Sequence, residues 1–267
     1  MSALRSKHFA ALLWLLLATA PARAAIAFAP LAFAGRHRVL AAAIVTVLFA
    51  TIAHRMRAVD LSGATVGAVI SFLLYVSCGP AGFACLITVF LLTWGSTRLG
   101  YARKQRLGMA ESKRGRSAVQ VLANLVTAAA LAVASLFVAR DLLLLAVVAA
   151  LAEAAADTVS SEVGKALTSR VYLITTFARV PAGKDGGISV IGTLAGVAAA
   201  VLVGFVAAAT SLIPQHWIAA TAGAAILGNC IDSMLGATLQ QRGWIGNNTV
   251  NLLSTSAAAG LVLLFLL

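Results

Sequence analysis

Charge is scarce in this chain. Only 10% of its 267 residues are Asp, Glu, Lys or Arg, and 61% are apolar, whereas a soluble domain is about a quarter charged. Carboxylates are the rarest charged groups, eight against twenty Lys and Arg. With a mean hydropathy of +0.98, this composition excludes a soluble globule. Cysteine is as sparse. Cys78, Cys85 and Cys230 lie in apolar segments with no CxxC and no Cys/His ligand spacing. They read as small buried or lipid-facing side chains. The four histidines, His8, His37, His54 and His216, are scattered near expected helix ends and point to neither catalysis nor metal ligation. Heptads, low-complexity tails and a Walker A sequence are also missing.

What is present is a series of apolar runs of spanning length, so the chain is read as an all-α, polytopic integral membrane helical bundle. Candidate spans fall at about 9–33, 39–53, 61–78, 81–97, 118–139, 142–156, 187–210, 217–237 and 251–267. That makes eight or nine transmembrane helices, some broken by Gly-rich segments. Residues 1–38 form an N-terminal span or signal-like segment, and 39–267 a single integral membrane domain. Arg5 and Lys7 precede an apolar run and then Ala-Pro-Ala-Arg-Ala-Ala, which resembles a signal peptide with a cleavage site. An uncleaved first span that tolerates Arg23 is the favoured reading.

The net charge of +12 does not imply nucleic acid, because Lys and Arg concentrate in loops. The segment Arg98–Arg116 holds seven Lys and Arg and one Glu. Placing it in the cytoplasm puts sixteen Lys and Arg inside and three outside, namely Arg36, Arg38 and Arg140, as the positive-inside rule requires. The expected location is therefore the cell inner membrane, with a cytoplasmic N-terminus if the first span is kept. Basic loops there also suit anionic headgroups and phosphorylated substrates.

Three of the eight carboxylates, Glu153, Asp157 and Glu162, fall within ten residues at the end of a long apolar helix. Charge at bilayer depth is costly, so such a cluster is a functional-site candidate. Glu153 and Asp157 are four apart and share a helix face. With Ser160 and Ser161 nearby, they suit a hard cation such as Mg²⁺. The competing reading is a structural polar cluster paired with Lys165 or a loop cation.

Three further segments carry polar groups to the same side. Arg114 and Arg116 precede a helix start, where free amides and the helix dipole favour anions, and Gln120 and Asn124 follow on one face. Lys184-Asp185-Gly186-Gly187-Ile188-Ser189 leads into Thr193; paired glycines allow close backbone approach, and amides at a helix start cradle anions. Asn229, Asp232, Ser233 and Gly236 share a helix face, with Gln240 beyond, and Asp232 is a lone carboxylate in an apolar span. The alternatives are a loop that is only a topology signal, amides that only bridge helices, and an Asp held in a structural pair. Ser62–Gly67 and Ile191–Gly196 echo each other as small-residue helix starts. The echo is read as close helix packing rather than a duplicated transporter half.

In order, Arg116-Ser-Ala-Val-Gln-Val-Leu-Ala-Asn124, Ala156-Asp-Thr-Val-Ser-Ser-Glu-Val-Gly164, Gly186-Gly-Ile-Ser-Val-Ile-Gly-Thr193 and Asp232-Ser-Met-Leu-Gly-Ala-Thr-Leu-Gln240 resemble the transmembrane protein 19 family. This is the family also known as domain of unknown function 92. The resemblance covers roughly residues 60–267. It implies a relationship to the phytyl-phosphate kinase of the vitamin E pathway, which uses a nucleoside triphosphate, CTP favoured. It also implies a distant likeness to prenol and dolichol kinases and CDP-diacylglycerol synthases. The Lys184-Asp185 start departs from the Thr-Asn or Thr-Asp expected in many relatives, and a shared family does not fix a substrate.

The expectation is a membrane kinase for a phytyl-phosphate-like isoprenoid monophosphate, working at the cytoplasmic face. Glu153, Asp157, Glu162 and Asp232 would hold Mg²⁺ on the nucleotide. Arg116, Lys184 and Asp157 would act in transfer. Arg114, Gln120, Asn124, Ser160, Ser161, Gly186, Gly187, Ser189, Thr193, Asn229 and Gln240 would bind phosphate or substrate. Partners would be the isoprenoid lipid, the nucleotide and membrane lipids. The rival is an ion-coupled membrane transporter, disfavoured because the acids are expected toward one face and not at the midplane. A non-catalytic lipid-binding scaffold is the third reading.

Overall fold

The structure is a computed structural model and describes residues 35–138 and 140–265. The candidate span 9–33 and the choice between signal peptide and first span lie outside the described residues. Six described helices are long and apolar enough to cross a membrane, and Ala118–Ala134 is a shorter apolar helix.

Helix α1 (Arg36–Arg55) buries little beyond Ala42, Thr46 and Ala53. Leu40, Ile44, Val47, Leu48 and Ile52 stay exposed, as a lipid-facing surface requires. Helix α2 (Leu61–Arg98) is continuous in hydrogen bonding but reverses at Gly79 (φ +72°) and Pro80. Proline removes a helix donor and Gly supplies the positive φ, so the pair folds α2 into two arms. Their antiparallel course shows in the Tyr75 and Phe83 rings, 5.7 Å apart. At the far end Arg98 Nη2 donates to Met56 O at 2.7 Å, beside Asp60, the N-cap of the first arm. The expected spans 61–78 and 81–97 are these two arms.

A short helix, α3 (Tyr101–Arg106), leads into α4 (Ala118–Ala134). Helix α5 (Arg140–Leu167) is the core of the bundle, with nearly all of its apolar length buried. It packs against α2, α4, α6 (Val190–Ala209), α7 (Ile218–Leu235) and α8 (Asn247–Phe265). Its run of Ala permits this, because small side chains let helix backbones approach closely. On α6, a Cβ at Gly192 would meet the Ser160 carbonyl of α5, and one at Gly196 would lie 2.9 Å from the Ala156 carbonyl. In the other half of the echo, Gly63 abuts the Arg116 backbone while Gly67 faces open space. Gly63, Gly192 and Gly196 serve close backbone approach, and Gly67 does not.

Two features depart from the sequence reading. Asp157–Lys165, beyond the expected span 142–156, continues α5 as helix; its polar groups find partners across the bundle, so the helix need not end there. The following segment is not wholly irregular. Val171–Leu173 (β1), Arg179–Val180 (β2) and Gly187–Ile188 (β3) form a small antiparallel sheet in the order β2-β1-β3. Val171 opposes Val180, and Leu173 opposes Gly187. These strands are too short for an alternation signal. A π-helical turn at Gly236–Gln240 extends α7, the kind of irregularity often found at functional sites.

The chain order brings the starts of α4, α6 and α8 and the ends of α5 and α7 to one end of the bundle. The basic loop lies at the same end. Arg36, Arg38 and Arg140 begin their helices at the other.

Candidate active site

A cavity of about 300 Å³ opens at the basic end. It is lined by Arg116, Gln120 and Asn124 from the start of α4, and by Asp157, Ser160, Ser161 and Glu162 from α5. Lys184, Gly186, Gly187, Ser189 and Thr193 come from the sheet loop and the start of α6, and Asn229, Asp232 and Gln240 from α7 and its π turn. The four polar segments singled out in the sequence therefore contribute to one cavity, which Val171, Ile174, Val197 and Ile226 also line. Two expected residues fall outside the lining. Arg114 is exposed. Glu153 is buried beneath the cavity, 1% exposed.

Arg116 is fixed through its backbone. Its amide donates to Ala58 O, and its carbonyl accepts from the Asp60 amide, each at 3.0 Å. Gly115 makes this bridge possible: its φ is +87°, and a Cβ there would lie 2.6 Å from the Val59 nitrogen. The guanidinium then reaches into the cavity, where Nη2 donates to Thr158 Oγ1 at 3.3 Å. Among the described residues no carboxylate pairs with it. Lys184 likewise has no carboxylate partner there. Both cations remain available to an anion.

The acid wall is built from α5 and α7. Asp157 and Asp232 lie close enough to interact directly. Ser254 Oγ of α8 donates to Asp232 Oδ2 at 3.2 Å. Asn229 Nδ2 donates to Ser160 Oγ at 3.3 Å, and Ser160 Oγ to the Asp157 carbonyl at 2.9 Å. Glu153 fits beneath because Gly228 has no side chain; a Cβ there would lie 2.8 Å from Glu153 Cγ. Glu153 Oε1 is buried without a hydrogen-bond partner among the described residues. Glu153 sits near the middle of α5, roughly 20 Å along the axis from Leu167. This corrects the expectation that all the acids lie toward one face.

The expected four-carboxylate metal set does not form. Glu162 is taken by two ammonium groups, Lys104 at 2.5 Å and Lys165 at 3.2 Å. Among the described residues, no three His, Cys, Asp or Glu groups converge on one point. Asp157 and Asp232 remain as a facing oxygen pair. That donor set fits Mg²⁺, which commonly takes one or two carboxylates and completes its shell with phosphate and water. The amide cradle at the glycine pair is also corrected. The Gly187 amide donates to Lys184 O at 2.9 Å and closes a turn. Gly186, with φ +73°, exists for close packing, since a Cβ there would strike the Ala237 backbone. Ser189 serves as the N-cap of α6, accepting from the Gly192 amide at 3.2 Å.

The sequence reading missed several lining residues. Glu111 Oε1 accepts from Gln120 Nε2 at 3.0 Å, while Gln120 Oε1 accepts from the Ser117 amide at 2.9 Å. Gln120 thus links the helix start to the loop. Asn247, Asn248 and Asn251 line the cavity from α8, and Asn251 Nδ2 donates to Asn124 Oδ1 at 3.4 Å. Three asparagines in five residues ahead of an apolar run were the available signal. Lys165 lines the cavity as well.

The integral membrane family DUF92 matches residues 44–259. The uncharacterized membrane protein sll0875 of Synechocystis is 33% identical over 73% of this chain and 78% of its own. The uncharacterized membrane protein MJ0933 of Methanocaldococcus jannaschii is 32% identical over 82% of this chain and 90% of its own. The chloroplastic protein VTE6 of Arabidopsis thaliana is 29% identical over 73% of this chain and 61% of its own. No solved structure matches the chain significantly. With the family's pattern spanning most of the residues that build both bundle and cavity, this multi-pass membrane protein belongs to the integral membrane family DUF92.

Proposed function

We propose that this protein is a prenyl-phosphate kinase, transferring a phosphoryl group from CTP or another nucleoside triphosphate to a phytyl-phosphate-like isoprenoid monophosphate. The observation that carries the reading is the opposition of charges across one cavity. The Asp157 and Asp232 pair stands on one wall, and Arg116 and Lys184 stand on others without carboxylate partners among the described residues. The resemblance to a family that includes the phytyl-phosphate kinase supports the choice of acceptor. The basic residues at the cavity end favour, under the positive-inside rule, the cytoplasmic face of the inner membrane, where nucleotides are found.

Phosphoryl transfer needs positioning and charge stabilisation more than covalent help from the protein. An oxygen of the lipid monophosphate attacks the γ-phosphorus. The bond from γ-phosphorus to its bridging oxygen breaks, and the nucleoside diphosphate leaves with that oxygen. A monoester dianion has no proton to lose, so the lack of a cavity histidine among the described residues is no obstacle. Arg116 and Lys184 neutralise the phosphates as they approach. Asp157 and Asp232 would hold Mg²⁺, which supplies further neutralisation of phosphate charge when bound.

The test is phosphoryl transfer by purified protein in detergent. Labelled CTP or ATP is offered with phytyl, geranylgeranyl and farnesyl monophosphates, with and without Mg²⁺, and Asp157→Asn serves as control. Metal-dependent diphosphate product that disappears in the variant supports the kinase; no product from folded protein with any pair overturns it.

One observation favours a second reading. Glu153, buried at mid-helix with an oxygen that has no hydrogen-bond partner among the described residues, is what an ion-coupled transporter would carry. Such a carrier would move substrate across proteoliposomes without consuming nucleotide, and Glu153→Gln would uncouple it.

A further inference from the structure

A second cavity, about 320 Å³, adjoins the first. It lies between α1, both arms of α2 and the beginning of α4. Its depth is apolar, walled by Phe49, Leu86, Val89 and Phe90. Its mouth, at the basic end, carries Arg57, Arg98, Lys113 and Arg116. Glu111, Arg116, Gln120 and Asn124 line both cavities. The two spaces therefore meet across one shared wall, and Arg116 stands at the junction.

Resting on the kinase reading, we propose that this second cavity holds the isoprenoid chain of the lipid monophosphate, with its phosphate turned at Arg116 into the polar cavity. A single-chain lipid with an anionic head matches the gradient from cationic mouth to apolar depth. A small-molecule pocket at the lower end of the usual size range suits one chain better than the two of a diacyl phospholipid. Two details of the lining point the same way. Gly67 sits within an α2 arm, yet a Cβ there would meet nothing within 4 Å. Glycine weakens a helix, so its use where no neighbour demands it keeps the groove wide. Trp94, beside Arg98 at the mouth, has a buried indole N–H with no acceptor among the described residues.

Gly67→Phe puts a ring into the groove from a position where a Cβ meets nothing within 4 Å, and Ala50→Phe narrows it from α1. Each is assayed for transfer to dimethylallyl and geranylgeranyl monophosphates, with Val201→Trp on the outward face of α6 as control. The proposal expects the long-to-short kcat/KM ratio to fall roughly tenfold or more in both groove variants, a range typical of losing contacts to a few methylenes. In parallel, geranylgeranyl monophosphate bearing a diazirine at its tail end is photolysed with wild-type protein. Labelling is expected on α1 and the second arm of α2, and is lost in Gly67→Phe. Labelling of the outward faces of α6 or α8 overturns the proposal. So does an unchanged ratio and unchanged labelling in Gly67→Phe, or displacement of the probe by phosphatidylglycerol. If no lipid is phosphorylated, the kinase reading fails, while the labelling still decides what the groove holds.

Discussion

Lys104 and Glu162 form a buried ion pair between residues 58 apart in sequence, with Nζ 2.5 Å from Oε2. Lys104 is 0% exposed, and its ammonium also donates to the carbonyls of Ser96 and Thr97, at 3.1 and 2.7 Å. It therefore closes the C-terminal end of α2, where a cation meets the negative end of the helix dipole, and ties that end to α5. Removing one partner of a buried pair strands the other. Lys104→Met is expected to cost about 3 kcal/mol, read as a fall in thermal midpoint in detergent.

The same pair separates structure from metal binding. Glu162→Gln should lower stability yet leave the Mg²⁺ concentration needed for half-maximal turnover unchanged. Asp157→Asn and Asp232→Asn should each cut turnover by roughly 100-fold or more, as loss of charge stabilisation in phosphoryl transfer does. Titrating activity against Mg²⁺ in the three variants checks this. A raised Mg²⁺ requirement in Glu162→Gln alone would return Glu162 to the ligand set.

The sequence made some of this arrangement legible and hid the rest. Gly79-Pro80 breaks an apolar run long enough for two crossings, so the hairpin was visible. The four polar segments were visible because polar side chains are conspicuous in apolar runs, and all four contribute to one cavity. Pairing was not visible. Nothing local marks Lys104 as the partner of Glu162, or Asn251 as the partner of Asn124 across 127 residues. Glycine was ambiguous in the same way. Gly186-Gly187 reads as an anion cradle, whereas the fold uses the pair to close a turn and pack against Ala237.

Arg116 offers a test of geometry against charge. Its backbone is pinned by Ala58 and Asp60, so substitution of the side chain should leave the fold in place. Arg116→Lys keeps a cation but loses the planar fork that grips phosphate. Turnover should fall about tenfold or more while the thermal midpoint moves little. Steady-state kinetics alongside thermal unfolding reads both, and a large drop in midpoint would instead make Arg116 mainly structural.

Gly115 supports that pinning. At φ +87°, with the Val59 nitrogen 2.6 Å and its Cα 2.8 Å from any Cβ, even alanine is strained and must push the bridge apart. Gly115→Ala is expected to lose about 1–3 kcal/mol and to weaken phosphate binding, because Arg116 shifts with the backbone. Gly67→Ala, in open space on the first arm of α2, should be neutral or slightly stabilising. Comparing the two unfolding midpoints separates required glycine from permissive glycine.

Asp60 gives the chain an acid-sensitive anchor outside the spanning segments. Its carboxylate accepts from Ser62 Oγ at 2.7 Å and from the Gly63 amide at 2.8 Å, and these bonds hold its pKa below the usual 3.8. A carboxyl that titrates lower in the folded state binds fewer protons there than when unfolded. Its stabilising contribution is complete above the ordinary Asp value and is lost as pH falls through the lowered one. The N-cap then weakens at the first turn of α2, next to the bridge that holds Arg116. Asp60→Asn keeps a capping oxygen but cannot titrate. Its stability should therefore fall less steeply than wild type between about pH 5 and pH 2, with a small difference at pH 7. Unfolding midpoints across that range decide it: parallel curves for the two proteins would mean that other carboxyls carry the acid limb.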